Sequence, residues 1–134
     1  MQLTLIITLS LHVLAAVFWA GTSFTLARTA GAGSEQLFRP QMGAAVVAVL
    51  TGGYLWSRLH GGVFEAPEQV LAIGVVCAFA AAGVQGAIVG SAIRKLSKAE
   101  IGEPAVRSRI ALAQRIAAGL LAVTIVCMAA ARYV

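Results

Sequence analysis

Aspartate is missing from the 134-residue chain, and glutamate occurs only at 35, 65, 68, 100 and 103, so that charged residues make up just 11% of it. No glutamate falls in the middle of an apolar stretch. That counts against a proton-coupled exporter of cationic compounds, which needs a carboxylate inside the membrane to exchange protons for substrate. A nucleophile with a base and an orienting group, a phosphate-binding glycine loop and the HExxH spacing are all missing too, so hydrolysis and phosphoryl transfer find no support. The two cysteines, Cys77 and Cys127, sit within apolar sequence and not in an exposed loop, so they imply no disulfide framework. The N-terminus MQLTLIITLS lacks a basic region ahead of its apolar run, so the first segment is expected to stay in the protein as a helix and not to act as a signal peptide.

What the chain does have is hydrophobic sequence, 60% of all residues. Apolar stretches of the ~20 residues needed to cross a bilayer fall at about 4–27, 41–59, 69–93 and 110–131. No soluble domain, linker or internal repeat accompanies them. The expectation is a single domain spanning 1–134, an all-α integral membrane bundle of four antiparallel transmembrane helices. The formal net charge of +5 is then an orientation signal and not a nucleic-acid footprint. Arg28 and Arg39 lie in the first loop, and Arg94, Lys95, Lys98, Arg107 and Arg109 in or beside the third, against Arg58 and Arg132 on the other side. This asymmetry predicts loops one and three in the cytoplasm and both termini in the periplasm, in a bacterial inner membrane.

Turn chemistry supports the division. Loop one, TAGAGSEQLFRP, is expected to break the chain and to end with Pro40 in the first turn of helix two. In loop two, Pro67-Glu68 suits a helix start, with the carboxylate near the positive end of the helix dipole. Loop three, RKLSKAEIGEPAVRSR, is either a short interfacial helix on anionic lipid or simply the charge that fixes topology. In helix three, Ala82, Gly86 and Gly90 recur every four residues, a spacing that lets two backbones approach closely. Their neighbour is either helix two, with its Gly52-Gly53 pair, or helix three of a second copy or larger complex.

Polar residues inside the spans are the pointers to function. With basic residues marking the cytoplasmic boundary and 1.5 Å of rise per residue, His12 lies ~6 Å below the outer surface and His60 at it, with Cys77 ~6 Å deep and Cys127 and Met128 a few ångströms deep. All candidate metal ligands thus share one layer. Histidine suits many metals, and thiolate and thioether favour Cu(I) or zinc, although buried Cys and Met commonly just pack. His12 needs a partner for its ring nitrogens, either a ligand or a hydrogen bond to Ser57, Thr124 or a backbone carbonyl. Ala15 and Ala16 lie one turn on, with Trp19 at i+7 on nearly the same face, which leaves room for a flat ring or a closely packed helix. A second polar layer of Gln85, Gln114 and Arg115 reads as interhelical glue.

His12, Trp19, Gly21 and a closing Arg28 together resemble the first helix of two related groups of small bacterial membrane proteins: the copper-resistance D (CopD-like) membrane domain family and the haem-containing bacterial protoporphyrinogen oxidase of four membrane helices. The likeness extends to LTGGYLWSRLH in helix two and MAAARYV at the end of helix four. The oxidase pattern expects a lysine just before the first-helix histidine and His or Lys in helix three. Leu9, Ser10 and Leu11 stand before His12 here, which makes the copper-resistance type the better match. The resemblance implies a first-helix histidine that binds copper or haem.

Two functions follow as expectations. In the first, the protein binds a redox-active centre in its periplasmic half for electron transfer or copper handling. For b-type haem, His12 and His60 are the axial candidates, with Trp19 against the ring and Arg58 or Arg132 on the propionates. For copper, the candidates are His12 and His60 with Cys77, Cys127 and Met128. In the second, the chain is a non-catalytic small subunit of a larger membrane complex, and His12 is structural.

Overall fold

A computed structural model describes residues 1–98 and 103–134. All of its regular structure is helical, and four spans are long and apolar enough to cross a membrane. The first is α1, Gln2–Arg28, and the second α2, Ser34–Leu59. The third joins α3, Ala66–Val84, through a π-helical turn at Gln85–Val89 to α4, Gly90–Ser97. The fourth is α5, Glu103–Ala130, which ends in a 3-10 turn at Ala131–Tyr133. Large apolar side chains point outward on every span: Leu14, Leu50, Val76 and Val126 are each at least 65% exposed. Water would penalise such a surface and hydrocarbon does not.

The connections differ from expectation in one place. Helix two starts at Ser34, well before the expected boundary near 41, because the turn is completed within Thr29–Gly33. Gly31 and Gly33 there adopt φ of +79° and +90°, conformations open to glycine without strain. Gly31 also lies against α5, since a Cβ on it would come within 2.6 Å of Ile110 Cγ2. Pro40 therefore lies inside α2 and not in its first turn. Its missing N–H leaves the Gln36 carbonyl without an i+4 donor, and both residues are exposed, where polar surroundings can satisfy that oxygen. Glu35, in the first turn of α2, pairs with Arg107 at 3.0 Å and ties this turn to the start of α5. In loop two, Glu65 and Glu68 form a capping box around Pro67, so α3 begins where the Pro-Glu pair indicates. The expected third loop is mostly helical, running to Ser97 on one side and from Glu103 on the other, and 99–102 lie outside the described residues.

Alanine dominates the interior. Ala45, Ala48, Ala78, Ala81 and Ala117 pack around Trp19 and Leu121, and Val89, Ala92 and Ala113 around Val106 and Ile110. Small side chains let helices approach closely, and dispersion is then the main attraction available in lipid. α1 packs on α2, α1 on α5 and α5 on α3, so the helices run α2–α1–α5–α3 around the bundle. His12 lies beside Ala48 while Ser23 lies beside Gln41, which makes α1 and α2 antiparallel. Gly74 beside Thr124 and Gln85 beside Gln114 do the same for the third and fourth spans.

A buried polar network crosses the centre of the bundle. The Trp19 indole N–H donates to Gln85 Oε1 at 2.6 Å, and Gln85 Nε2 donates to Ser23 Oγ at 2.7 Å and to Gln114 Oε1 at 3.2 Å. Gln114 reaches Gln41 at 3.5 Å, and Gln41 donates to Ser23 at 3.1 Å and Thr22 at 3.2 Å. All four spans contribute, as interhelical glue should. Arg115, expected in this layer, is exposed and takes no part. The π turn begins at Gln85, where the backbone register shifts within the third span.

The glycines sort differently from the expected stripe. A Cβ on Gly90 would come within 2.9 Å of Phe38 Cζ, whereas one on Gly86 would meet only Met42 Sδ, at an ordinary 3.9 Å. Close approach between helices two and three is thus concentrated at Gly90. Gly52 serves a different neighbour, the His12 ring.

Candidate functional site

His12 is held by α2. Its Nδ1 lies 2.9 Å from the Ala48 carbonyl oxygen and 3.0 Å from Thr51 Oγ1. A carbonyl can only accept, and the Thr51 hydroxyl already has carbonyl acceptors at Val47 (2.6 Å) and Ala48 (3.2 Å). Nδ1 must therefore carry the hydrogen, so that in the uncharged form of the ring the lone pair is on Nε2. Nε2 has no hydrogen bond among the described residues. Gly52 makes this placement possible, because a Cβ there would stand 3.0 Å from His12 Cε1. Of the alternatives open from sequence, the backbone carbonyl is the partner. Ser57 instead donates to the Tyr54 carbonyl, and Thr124 to those of Gly74 and Leu120.

His12 lines a cavity of about 390 Å³ in the half of the bundle nearest loop two. That volume falls within the ~300–1,000 Å³ typical of small-molecule and cofactor sites. All four spans contribute to its walls, which are apolar apart from a few groups: Ala16 and Trp19 from α1, Gly53 and Trp56 from α2, Phe79 from α3 and Leu121 from α5. His60 stands at the far end of α2, its ring centroid 5.7 Å from that of Trp56. Its Nδ1 is buried with no hydrogen-bond partner among the described residues. A buried nitrogen left unpaired costs roughly 1–3 kcal/mol, which a ligand would recover.

Of the candidate site residues, His12, His60, Trp19 and Met128 are brought to the cavity. The other four are not among its lining. Cys127 packs its Cβ against Gly74, and Cys77 is a half-buried free thiol. Arg58 lies over the Tyr54 ring at 5.4 Å, and Arg132 is exposed in the terminal 3-10 turn. Among the described residues no three of His, Cys, Asp and Glu gather as a metal-binding group. Thr51, Trp56 and Phe79 belong to the site and were not singled out from sequence. The one available signal was Thr51 directly before Gly52-Gly53, a hydroxyl beside a gap in the helix surface.

The chain matches no protein-family model, no curated protein and no solved structure.

Proposed function

We propose that this is a small membrane protein whose cavity would hold a b-type haem, with His12 through Nε2 and His60 as the residues that would bind its iron, and that it serves electron transfer. The observation that carries the reading is the orientation of His12. Histidines that ligate metals characteristically donate their other ring N–H to a carbonyl, which fixes the tautomer and raises the basicity of the ligating nitrogen, and Nδ1 of His12 faces the Ala48 carbonyl in this way. The buried, unpaired His60 Nδ1 and the apolar walls with two tryptophans suit a planar macrocycle. Bound haem supplies one-electron redox chemistry. The protein's part is to fix the ligand imidazole and keep water from the ring. Neither arginine proposed for the propionates lines the cavity, so that role is left to the polar surroundings at the bundle's end.

Copper is the second reading, supported by Met128 at the same cavity as the two histidines. One soft thioether and two imidazoles make a donor set that suits copper. Haem is preferred because it requires only one or two protein ligands, whereas neither cysteine that would complete a copper site lines the cavity. The basic residues of loops one and three argue for the orientation proposed with this function: those loops in the cytoplasm, both termini and the cavity on the periplasmic side, in a bacterial inner membrane.

A visible spectrum with metal analysis of protein purified from its membrane tests the proposal. A Soret band supports haem, and stoichiometric copper without that band supports the second reading. Neither signal, with none gained on reconstitution, would overturn both and favour the assembly-subunit role with His12 as a structural residue.

A further inference from the structure

Three of the four seams around the bundle are closed by packing and by hydrogen bonds. His12 joins α1 to α2, α1 packs directly on α5, and Thr124 joins α5 to α3 by donating to the Gly74 carbonyl at 3.0 Å, while the Trp19 and Ser23 bonds to Gln85 cross the centre. The seam between α2 and the third span is different. It is closed only at the end nearest loop one, where Phe38 meets Gly90, Met42 meets Gly86 and α2 touches the π turn. Toward loop two, α2 and α3 scarcely touch, and among the described residues no hydrogen bond joins them. The cavity occupies the wedge that opens there. Leu59 on α2 and Phe79 on α3 line it and are 59% and 56% exposed, so its rim is apolar.

We infer that this α2–α3 wedge is a lateral door through which the cavity takes a ring ligand dissolved in the bilayer, protohaem on the reading proposed above. Backbone groups in the interior of a transmembrane helix pair within that helix, so parting two helices in hydrocarbon breaks no backbone bond between them and brings mainly side chains to lipid. An apolar rim costs nothing there. It gives a hydrated metal ion no polar path, whereas a hydrophobic macrocycle can slide in edge-on and meet His12 on the far wall. Gly53 faces this open space, since a Cβ at that position would meet nothing within 4 Å.

The opening is measured without haem. The chain has two tryptophans. In nanodiscs, the Trp19→Phe variant reports Trp56, which lines the cavity, and the Trp56→Phe variant reports Trp19, which is 3% exposed. Lipids brominated along their acyl chains are expected to quench Trp56 more strongly than Trp19, with aqueous acrylamide quenching Trp56 little. If Trp19→Phe does not fold, the difference between wild type and Trp56→Phe gives the same quantity. Quenching of Trp56 by acrylamide in preference to brominated lipid, or by neither, would overturn the inference. The door is then tested with protohaem delivered from donor vesicles. Leu59→Phe, which thickens the rim, is expected to slow development of the Soret band severalfold, and an unaltered rate would overturn the entry route. Absence of a Soret band in wild type would overturn the haem reading alone, because lipid access is established by the quenching.

Discussion

Replacing Gln85 by leucine should weaken the bundle more than any other single change in the central polar layer. The Gln85 amide accepts from Trp19 at 2.6 Å and donates to Ser23 at 2.7 Å and Gln114 at 3.2 Å, and so ties the third span to α1 and α5. Interhelical hydrogen bonds in membranes average about 0.6 kcal/mol, so three of them come to about 2 kcal/mol, or about 30-fold in the unfolding equilibrium. Leucine fills a similar volume, so no large cavity adds to that figure. Gln114→Leu removes only the contacts at 3.2 and 3.5 Å and should cost about two thirds as much. The assay is unfolding of the purified protein in mixed micelles by increasing mole fraction of SDS, followed by circular dichroism. A midpoint for Gln85→Leu equal to that of wild type, or a larger loss for Gln114→Leu, would refute the view that Gln85 is the hub of this layer.

Neighbouring glycines should respond in opposite ways. Gly52→Ala puts a Cβ 3.0 Å from the His12 ring, which should disturb its bond to Ala48 and lower haem retention by roughly fivefold, about 1 kcal/mol, whereas Gly53→Ala meets open space and should retain haem while gaining helix propensity. Haem titration and SDS unfolding of the two variants check this, and equal retention would mean that the ring position does not matter. Gly31→Ala should cost at least about 2 kcal/mol in the same unfolding assay, since it combines φ of +79° with a 2.6 Å clash on Ile110, and a stable variant would place the α1–α2 turn away from α5. In intact cells, a cysteine at Ser97 should be protected from a membrane-impermeant reagent and one at Gly62 labelled, in a background lacking Cys77 and Cys127, and the reverse pattern would overturn the proposed orientation.

Span number was legible because length and apolarity alone decide it, and the all-helical bundle followed. The start of helix two was not, because Pro40 fits a first turn well and its place inside α2 depends on a turn completed seven residues earlier, at Gly31 and Gly33. Gln85 and Gln114 stood out as polar groups in apolar sequence. Gln41 did not, since it lay at the expected boundary, where an amide can simply be wet. Counting residues from a boundary gives depth, and it placed His12, His60, Cys77, Cys127 and Met128 in one layer. Depth says nothing about rotation around the helix axis, and rotation is what brings His12 and Met128 to the cavity while Cys127 packs on Gly74. The cavity itself depends on the order of helices around the bundle and on one seam left unpacked, which no single helix records.

The account rests on His12 as the residue that fixes the ligand, and haem titration of His12→Ala beside wild type tests it most directly. Wild type should develop a Soret band. His12→Ala should lose that band while keeping its helix content, because the alanine interfaces and the Gln85 network are untouched, and His60→Ala should lose less. A His12→Ala protein that binds haem with wild-type affinity and spectrum would contradict the account.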